Sequence, residues 1–326
     1  MATPSSVFTE LVTTTLRDTQ KKLNDNVSNN NALLNRLSQK GRTRVIDGGY
    51  EIQENLEYAE NSTYQRYSGY DTLNIAASDV MTAAKYDWKQ AAVNVAASGR
   101  ELRINSGKNQ ILDLAQSRIT NAMHTFANQF SADVYSDGTA SNQINGLQAL
   151  VADAGTGTVG GIVSGTYTFW KNKVQSAASP LQGGGAITPS KTTMQSLMLP
   201  LWLELSRGND KPDLIVSSND YFTFYEESLT DLKRYTEDTD AQGGFISLKY
   251  KTADVIFDGG TEGGGITAAH MYFLNTRYLK LVAHKDANMT VMDEKTSVNQ
   301  DAVVIPVLWQ GNLTLSNRSL QGVLKA

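Results

Sequence analysis

The sequence predicts an α+β protein. A long helical pattern between Gly107 and Tyr135 and a strand-rich final third beginning near Phe245 carry that prediction, and the helical segments segregate ahead of most of the strands. In the long pattern Ile111, Ala115, Ile119, Ala122, Met123, Phe126, Phe130 and Val134 recur at three- and four-residue spacing, while Asp113, Arg118, Asn121 and Gln129 face away. At about 1.5 Å per residue the helix would be roughly 40 Å long, well beyond the usual globular length, so it reads as a structural spine.

The remaining elements follow in order. Residues 5 to 40 carry Leu11, Leu16, Leu23, Val27, Leu33, Leu34 and Leu37 among Thr and Asn, which predicts a partly helical arm. Its apolar stripe needs another surface, its own body or a neighbour's. After the turn Asp47-Gly48-Gly49, the Tyr- and Thr-rich segment from Tyr50 reads as an extended hairpin with too few large aliphatics to own a core. Six of the fourteen tyrosines lie at 50, 58, 64, 67, 70 and 86, a density that suits a partner-facing surface or a sheet edge with ordinary cross-strand aromatics. Ala83 to Ala97 predicts one strand, with a helix as the alternative. Beyond the spine, Ser136-Asp137-Gly138-Thr139 is a sharp stop and Gly146-Leu147 leads into a short helix. A glycine loop from 155 to 165 precedes TYTFW, which looks like a strand. A helix is expected from near Pro189 with Pro200 inside it, where it would kink, then a buried strand Asp213 to Ser217 and a helix from Asn219 to Leu232. Strands are expected at Phe245 to Phe257, Met271 to Asn275, Tyr278 to His284, Met289 to Asp293 and Val303 to Leu315.

Composition narrows the function classes. The 326 residues, 40% hydrophobic and 19% charged, describe a folded chain able to bury a substantial core. Cysteine is absent, which removes disulfides, thiolate metal sites and Cys nucleophiles together and fits synthesis in a reducing cytoplasm. No apolar run reaches membrane-spanning length, so no membrane partner is expected. A formal charge of -4 argues against a dedicated nucleic-acid binder. Charge is nevertheless uneven: residues 1 to 46 hold seven basic side chains, including Arg42 and Arg44, against three acids, whereas 47 to 71 hold six acids, including Glu51, Glu54 and Glu57, against Arg66 alone. Two independent solvated surfaces would explain this, and so would complementary contacts between copies.

Candidate sites for chemistry are weak. Gly155-Thr-Gly-Thr-Val-Gly160 matches the dinucleotide pattern, but no helix N-terminus follows to aim amides at a pyrophosphate, so it reads as a mobile surface loop. Asp238 to Gly243 opens like a calcium loop, yet Lys249 occupies the position that should supply a bidentate carboxylate. His270 and His284 could face each other across a hairpin near residues 275 to 277, without a third ligand, and His124 lies on the spine. Glu226 and Glu227 splay apart on a helix. No catalytic residue, cofactor site or metal site is therefore predicted, and the chain is not expected to be an enzyme.

The segments SDVMTAAKYDWKQAAVNVAASGRE, NSGKNQILDLAQSRI, YSDGTASNQINGLQALV, GTVGGIVSGTYTFWKNK, PDLIVSSNDYFTFYEESL and VVIPVLWQGNLTLSNRS, in that order, resemble the major capsid proteins of tailed bacteriophages, the Hong Kong 97-type fold. The resemblance implies an N-terminal arm at 1-46, an extended loop at 47-75, a peripheral domain at 76-145 with the spine 107-135, and an axial domain at 146-275. Peripheral strands at 276-310 and a C-terminal strand returning to the axial domain at 311-326 complete the layout.

It also implies a structural protein that assembles with itself into hexamers and pentamers of an icosahedral virion shell, formed in the host cytoplasm around double-stranded DNA contacted non-specifically. Only about 45 residues precede the loop, so a separate scaffolding protein is expected, along with a portal protein; a decoration protein remains an open partner. Candidate contacts between copies are Glu51, Glu54, Glu57, Tyr58, Tyr64 and Tyr67 on the loop, with Arg42, Arg44 and Arg118 as basic partners. Reversing the three glutamates to Lys should leave the monomer folded and impair assembly. Because no lysine lies between Asp47 and Asp71, no loop-borne isopeptide cross-link is expected. An encapsulin-like nanocompartment and an enzyme with an unfamiliar site are the alternatives.

Overall fold

A computed structural model describes residues 31–100, 108–230, 247–258, 265–293, 295–296 and 300–326. The first described element, α1 (Ala32–Gln39), is capped by Asn31, whose side chain accepts from the Leu34 N–H at 2.9 Å. Its apolar stripe finds its partner within the subunit, because Leu33, Leu34 and Leu37 are buried in the largest core cluster. The chain then forms strand β1 (Thr43–Ile46), so the end of the segment expected as an arm joins a sheet.

Five strands form that sheet: β1, β4 (Lys89–Ser98), β12 (Leu279–Val291), β13 (Lys295–Thr296) and β14 (Ala302–Leu315). β14 is central, antiparallel to β12 along one side and to β4 along the other. Pro306 lacks an N–H, yet it fits this central strand. Its nitrogen faces Met292, just past the end of β12, and the Met292 N–H still donates to the Pro306 carbonyl at 2.9 Å, so only the last reciprocal bond of that ladder is missing. The single strand expected at Ala83 to Ala97 is two, β3 (Met81–Tyr86) and β4, separated at Asp87 and Trp88. The two expected strands at 278–284 and 289–293 are one, β12, whose register shifts between Ala283 and Asn288.

The spine, α2 (Lys108–Tyr135), lies against β4 and β14. Ile119 packs with Val95, Ala97, Val303 and Ile305, and Phe126, Phe130 and Val134 continue the buried face. The Phe130 ring meets Trp309 of β14 edge-on at 4.6 Å between centroids. Asn121 and Gln129 are exposed, as the period predicts. Ile111, Asp113 and Ala115 lie outside the described side chains.

A second sheet of six strands has the order β7 (Lys173–Ser176), β15 (Gly322–Lys325), β11 (His270–Leu274), β8 (Leu214–Ser217), β10 (Ala253–Phe257) and β9 (Ser247–Tyr250). It is buried on both faces, which is why its central strands read as unbroken apolar runs. Ile215, Val255, Met271 and Phe273 face helices α4 (Met194–Glu204) and α5 (Asn219–Thr230), while Leu214, Val216, Ile256 and Tyr272 face the cluster shared with the first sheet. α4 begins at Met194, five residues after Pro189, and runs through Pro200 without ending.

Between the sheets lie the short helix α3 (Leu147–Leu150) and the hairpin β5 (Thr158–Val159) and β6 (Ile162–Val163). The glycine-rich segment is thus a defined turn with Val159 and Ile162 buried, and not the loose loop its composition suggests. TYTFW is likewise no strand: Thr168–Trp170 is a 3-10 turn, fixed by the Trp170 indole donating to the Val159 carbonyl at 2.9 Å.

Candidate functional site

β2 (Ile52–Glu57) pairs with β3 to form an isolated two-stranded hairpin whose distal part, residues 58 to 80, contains no helix or strand. The base is locked into the subunit. Strict alternation along β2 turns Ile52, Glu54 and Leu56 inward. From β3, Ala84 and Tyr86 are buried, and the Tyr86 hydroxyl donates to the Leu315 carbonyl at 2.7 Å. Burial foremost, with the nearby Glu54 charge, holds that phenol well above its ordinary pKa, so it stays a neutral donor. The Lys85 N–H donates to the Gly160 carbonyl at 2.9 Å, which ties β3 to the β5–β6 turn. Gly160 has φ 58° and its missing Cβ would lie 2.8 Å from the Ala84 Cβ, so only glycine suits this close approach.

The turn is itself fixed from behind by Arg318. This guanidinium is completely buried, and it donates to the carbonyls of Leu150, Trp170 and Thr156 and to the Ser164 hydroxyl at 2.8 to 3.3 Å. All four acceptors are neutral. Burial lowers its pKa to about 10, where the group still carries its charge.

The predicted contact residues separate into two groups. Glu54 is engaged inside the subunit: its carboxylate lies 2.8 Å from the Lys280 ammonium, 3.8 Å from the Arg44 guanidinium and 3.3 Å from the Thr314 hydroxyl. These contacts make Glu54→Lys the one reversal of the three predicted to strike the fold, where the sequence alone led to the expectation that all three spare it. Glu51 lies 3.5 Å from Lys85, and Glu57 is exposed. Tyr58 stacks on Phe169 at 5.4 Å, at the exit of the hairpin. Tyr64 and Tyr67 project into solvent, 83% and 65% exposed, together with Tyr70, Leu73 and Ile75. Arg42 is half-buried and its carbonyl accepts from the Leu281 N–H at 3.0 Å, while Arg118 on the spine donates to the Ala96 carbonyl of β4. The structure thus brings Arg44 and Glu54 together and leaves the distal tyrosines without a surface of their own to cover them.

Lys280, which the sequence reading did not single out, and Tyr86, which it counted in the tyrosine cluster and which is in fact buried, hold the hairpin. The placement of Glu54 between Ile52 and Leu56 in a period-two pattern was the available signal. Other candidates sit apart from this region. His270 belongs to the six-stranded sheet and pairs with Asp153 at 3.0 Å, whereas His284 belongs to the five-stranded one and packs beside Trp88. They do not face each other. The sequence from Asp238 to Gly243 lies outside the described residues. Among the described residues no cluster of His, Asp or Glu could hold a metal ion, and no helix is long and apolar enough to cross a membrane.

Solved phage capsids superpose on this chain over most of its length. The cyanophage A-1(L) capsid asymmetric unit superposes with a TM-score of 0.59 at 16% identity, over 88% of this chain and 92% of that one. The chain has the fold of a phage capsid protein. The capsid of Myoviridae phage XM1 gives a TM-score of 0.52 at 12% identity, over 89% and 91% of the two chains. The satellite phage P4 procapsid, a structure that includes its size determination protein, gives 0.50 at 10% identity over 96% and 90%. No protein-family model matches the chain, and no curated protein matches its sequence. The capsid fold is thus recognisable through structure at identities where sequence similarity is too low to register.

Proposed function

We propose that this chain is the structural subunit of a phage capsid, assembling with itself into the hexamers and pentamers of an icosahedral shell around double-stranded DNA. The observation that carries the reading is the match of nearly the whole chain, 88% of it, to a capsid subunit. The exposed hairpin supports it. A base held by Glu54, Tyr86 and Gly160 presents a distal segment whose Tyr64, Tyr67, Leu73 and Ile75 are exposed, and large aromatic and aliphatic side chains gathered on a projection suit burial against a partner. In this reading the hairpin covers a neighbouring copy, with Glu51 and Glu57 as its acidic contacts and a basic strip there as their complement.

A separate scaffolding protein, a portal and packaged DNA complete the proposal, and residues 76-145 with 276-310 act as the peripheral domain around the axial domain 146-275. The encapsulin alternative encloses protein cargo, and the neighbours named above are phage particles, which favours DNA. Particles purified from cells expressing the phage genome separate the two: nuclease-resistant double-stranded DNA inside them supports a capsid, whereas a stoichiometric protein cargo without nucleic acid contradicts it.

A further inference from the structure

The five-stranded sheet ends on one side in β4, a ten-residue edge strand that pairs with β14 alone among the described residues. Its outward row can be read from the ladder. The Gly99 N–H donates to the Asp301 carbonyl directly opposite, so odd-numbered residues of β4 bond to β14 and the even-numbered ones point away. The Arg118 guanidinium on the Ala96 carbonyl agrees with that parity. Gln90, Ala92, Asn94 and Ala96 therefore carry the outward polar groups of the backbone.

Edge strands are normally blunted by charge, proline or a bulge, because an open row of N–H and C=O groups recruits another strand. Between Gln90 and Ser98 the sequence QAAVNVAAS has neither proline nor charge, and its pairing with β14 is unbroken. Charges stand around it: half-buried Lys89 beside exposed Asp87 at one end, exposed Arg100 near exposed Asp301 beyond the other, and half-buried Arg118 at Ala96.

The distal hairpin carries a segment of matching character. Thr72 to Ser78, TLNIAAS, is uncharged, exposed for nearly its whole length and outside any helix or strand, with Ile75 93% exposed. Asp71 and Asp79 bracket it. At about 3.4 Å per residue Asp71 and Asp79 are roughly 27 Å apart if extended, close to the roughly 24 Å from Lys89 to Ala96, where Arg118 sits, so each acid reaches a base in either strand direction.

We infer that Thr72 to Ser78 of one copy adds as a strand to the outer edge of β4 in a second copy. The inference rests on the capsid reading above and deepens it by naming a backbone interface. Main-chain bonds supply the contact, and the flanking charges set the register.

The chain has no cysteine, which allows a direct test on purified particles. Asn94→Cys is combined with a single cysteine at each position from Leu73 to Ala77 in turn, since paired strands bring Cα atoms to about 5 Å, within disulfide reach. Mild oxidation should convert at least one combination to dimers and longer ladders on non-reducing gels, with neither single variant doing so. Ala92→Pro removes an outward donor and spares the β14 ladder, and Ile75→Pro does the same on the exposed segment; each should lose the particle peak and leave folded monomer. Normal particles from Ile75→Pro, with no cross-link from any cysteine combination, would overturn the edge pairing and leave the capsid reading standing. Failure of the unmodified chain to form particles would instead overturn both.

Discussion

The Glu54 carboxylate meets the Lys280 ammonium at 2.8 Å in the base of the β2–β3 hairpin, with the glutamate side chain only 6% exposed. This pair joins the projecting hairpin to β12 of the five-stranded sheet. Glu54→Lys places two ammonium groups where the structure provides for one, and removing one partner of a buried pair costs about 3 to 5 kcal/mol. Glu57→Lys, at an exposed position of the same strand, should stay within about 0.5 kcal/mol of wild type. Urea unfolding of the unassembled protein measures both. A Glu54→Lys midpoint equal to that of Glu57→Lys would contradict the assignment.

Arg318 gives a second stability test. It links Leu150, Thr156, Ser164 and Trp170, so Arg318→Ala leaves three carbonyls without this donor. Each lost buried partner costs about 1 to 3 kcal/mol, and Arg318→Lys should rescue little because an ammonium cannot reproduce the planar fork. Circular dichroism melts of the two variants, both well below wild type, are the expected result.

On the spine, core and surface should separate. Phe126 is buried and stacks on Phe130 at 5.6 Å, so Phe126→Ala should cost roughly 3 to 5 kcal/mol and lower the yield of folded chain. Arg118→Glu exchanges the guanidinium beside Ala96 for a carboxylate at the edge of β4. Its monomer should retain the wild-type far-ultraviolet spectrum and fail to form particles in sedimentation.

The His270–Asp153 pair predicts a pH profile. Burial opposes the imidazolium, but the hydrogen bonds to Asp153 and to the Ala268 carbonyl outweigh it and raise the His270 pKa. The hydrogen bond from His270 chiefly lowers that of Asp153. A raised histidine stabilises the fold fully below its unfolded value near 6.5, and the contribution fades as pH rises through the higher folded value. The lowered aspartate contributes above its unfolded value near 3.9, and that contribution is lost as pH falls through the lower folded value. The pair is therefore strongest in mildly acidic solution, and His270→Gln should flatten the stability profile on the alkaline side. Chemical unfolding from pH 5 to 9 reads this out.

Much of the fold is legible in the residues because burial leaves a period. The spine face through Ile119, Phe126, Phe130 and Val134, the doubly buried run Leu214 to Ser217 and the long strand through Trp309 all follow from spacing alone. TYTFW misleads because aromatic composition suggests a strand, whereas the Trp170 indole and the Tyr58–Phe169 stack draw the segment into a turn. The break at Asp87 and Trp88 carries neither proline nor glycine, so nothing local marks it. At the hairpin, Tyr64, Tyr67 and Tyr70 are exposed, whereas Tyr86 of the same cluster is buried. Glu54 counted as one acid among six, and only its alternation with Ile52 and Leu56 distinguishes it from its exposed neighbours.

Electron microscopy of the purified, concentrated protein addresses the central claim most directly. Closed shells of uniform diameter with six- and five-fold clusters are the predicted result. A monodisperse species near the 35.5 kDa monomer under every assembly condition, with scaffolding protein supplied, would contradict it.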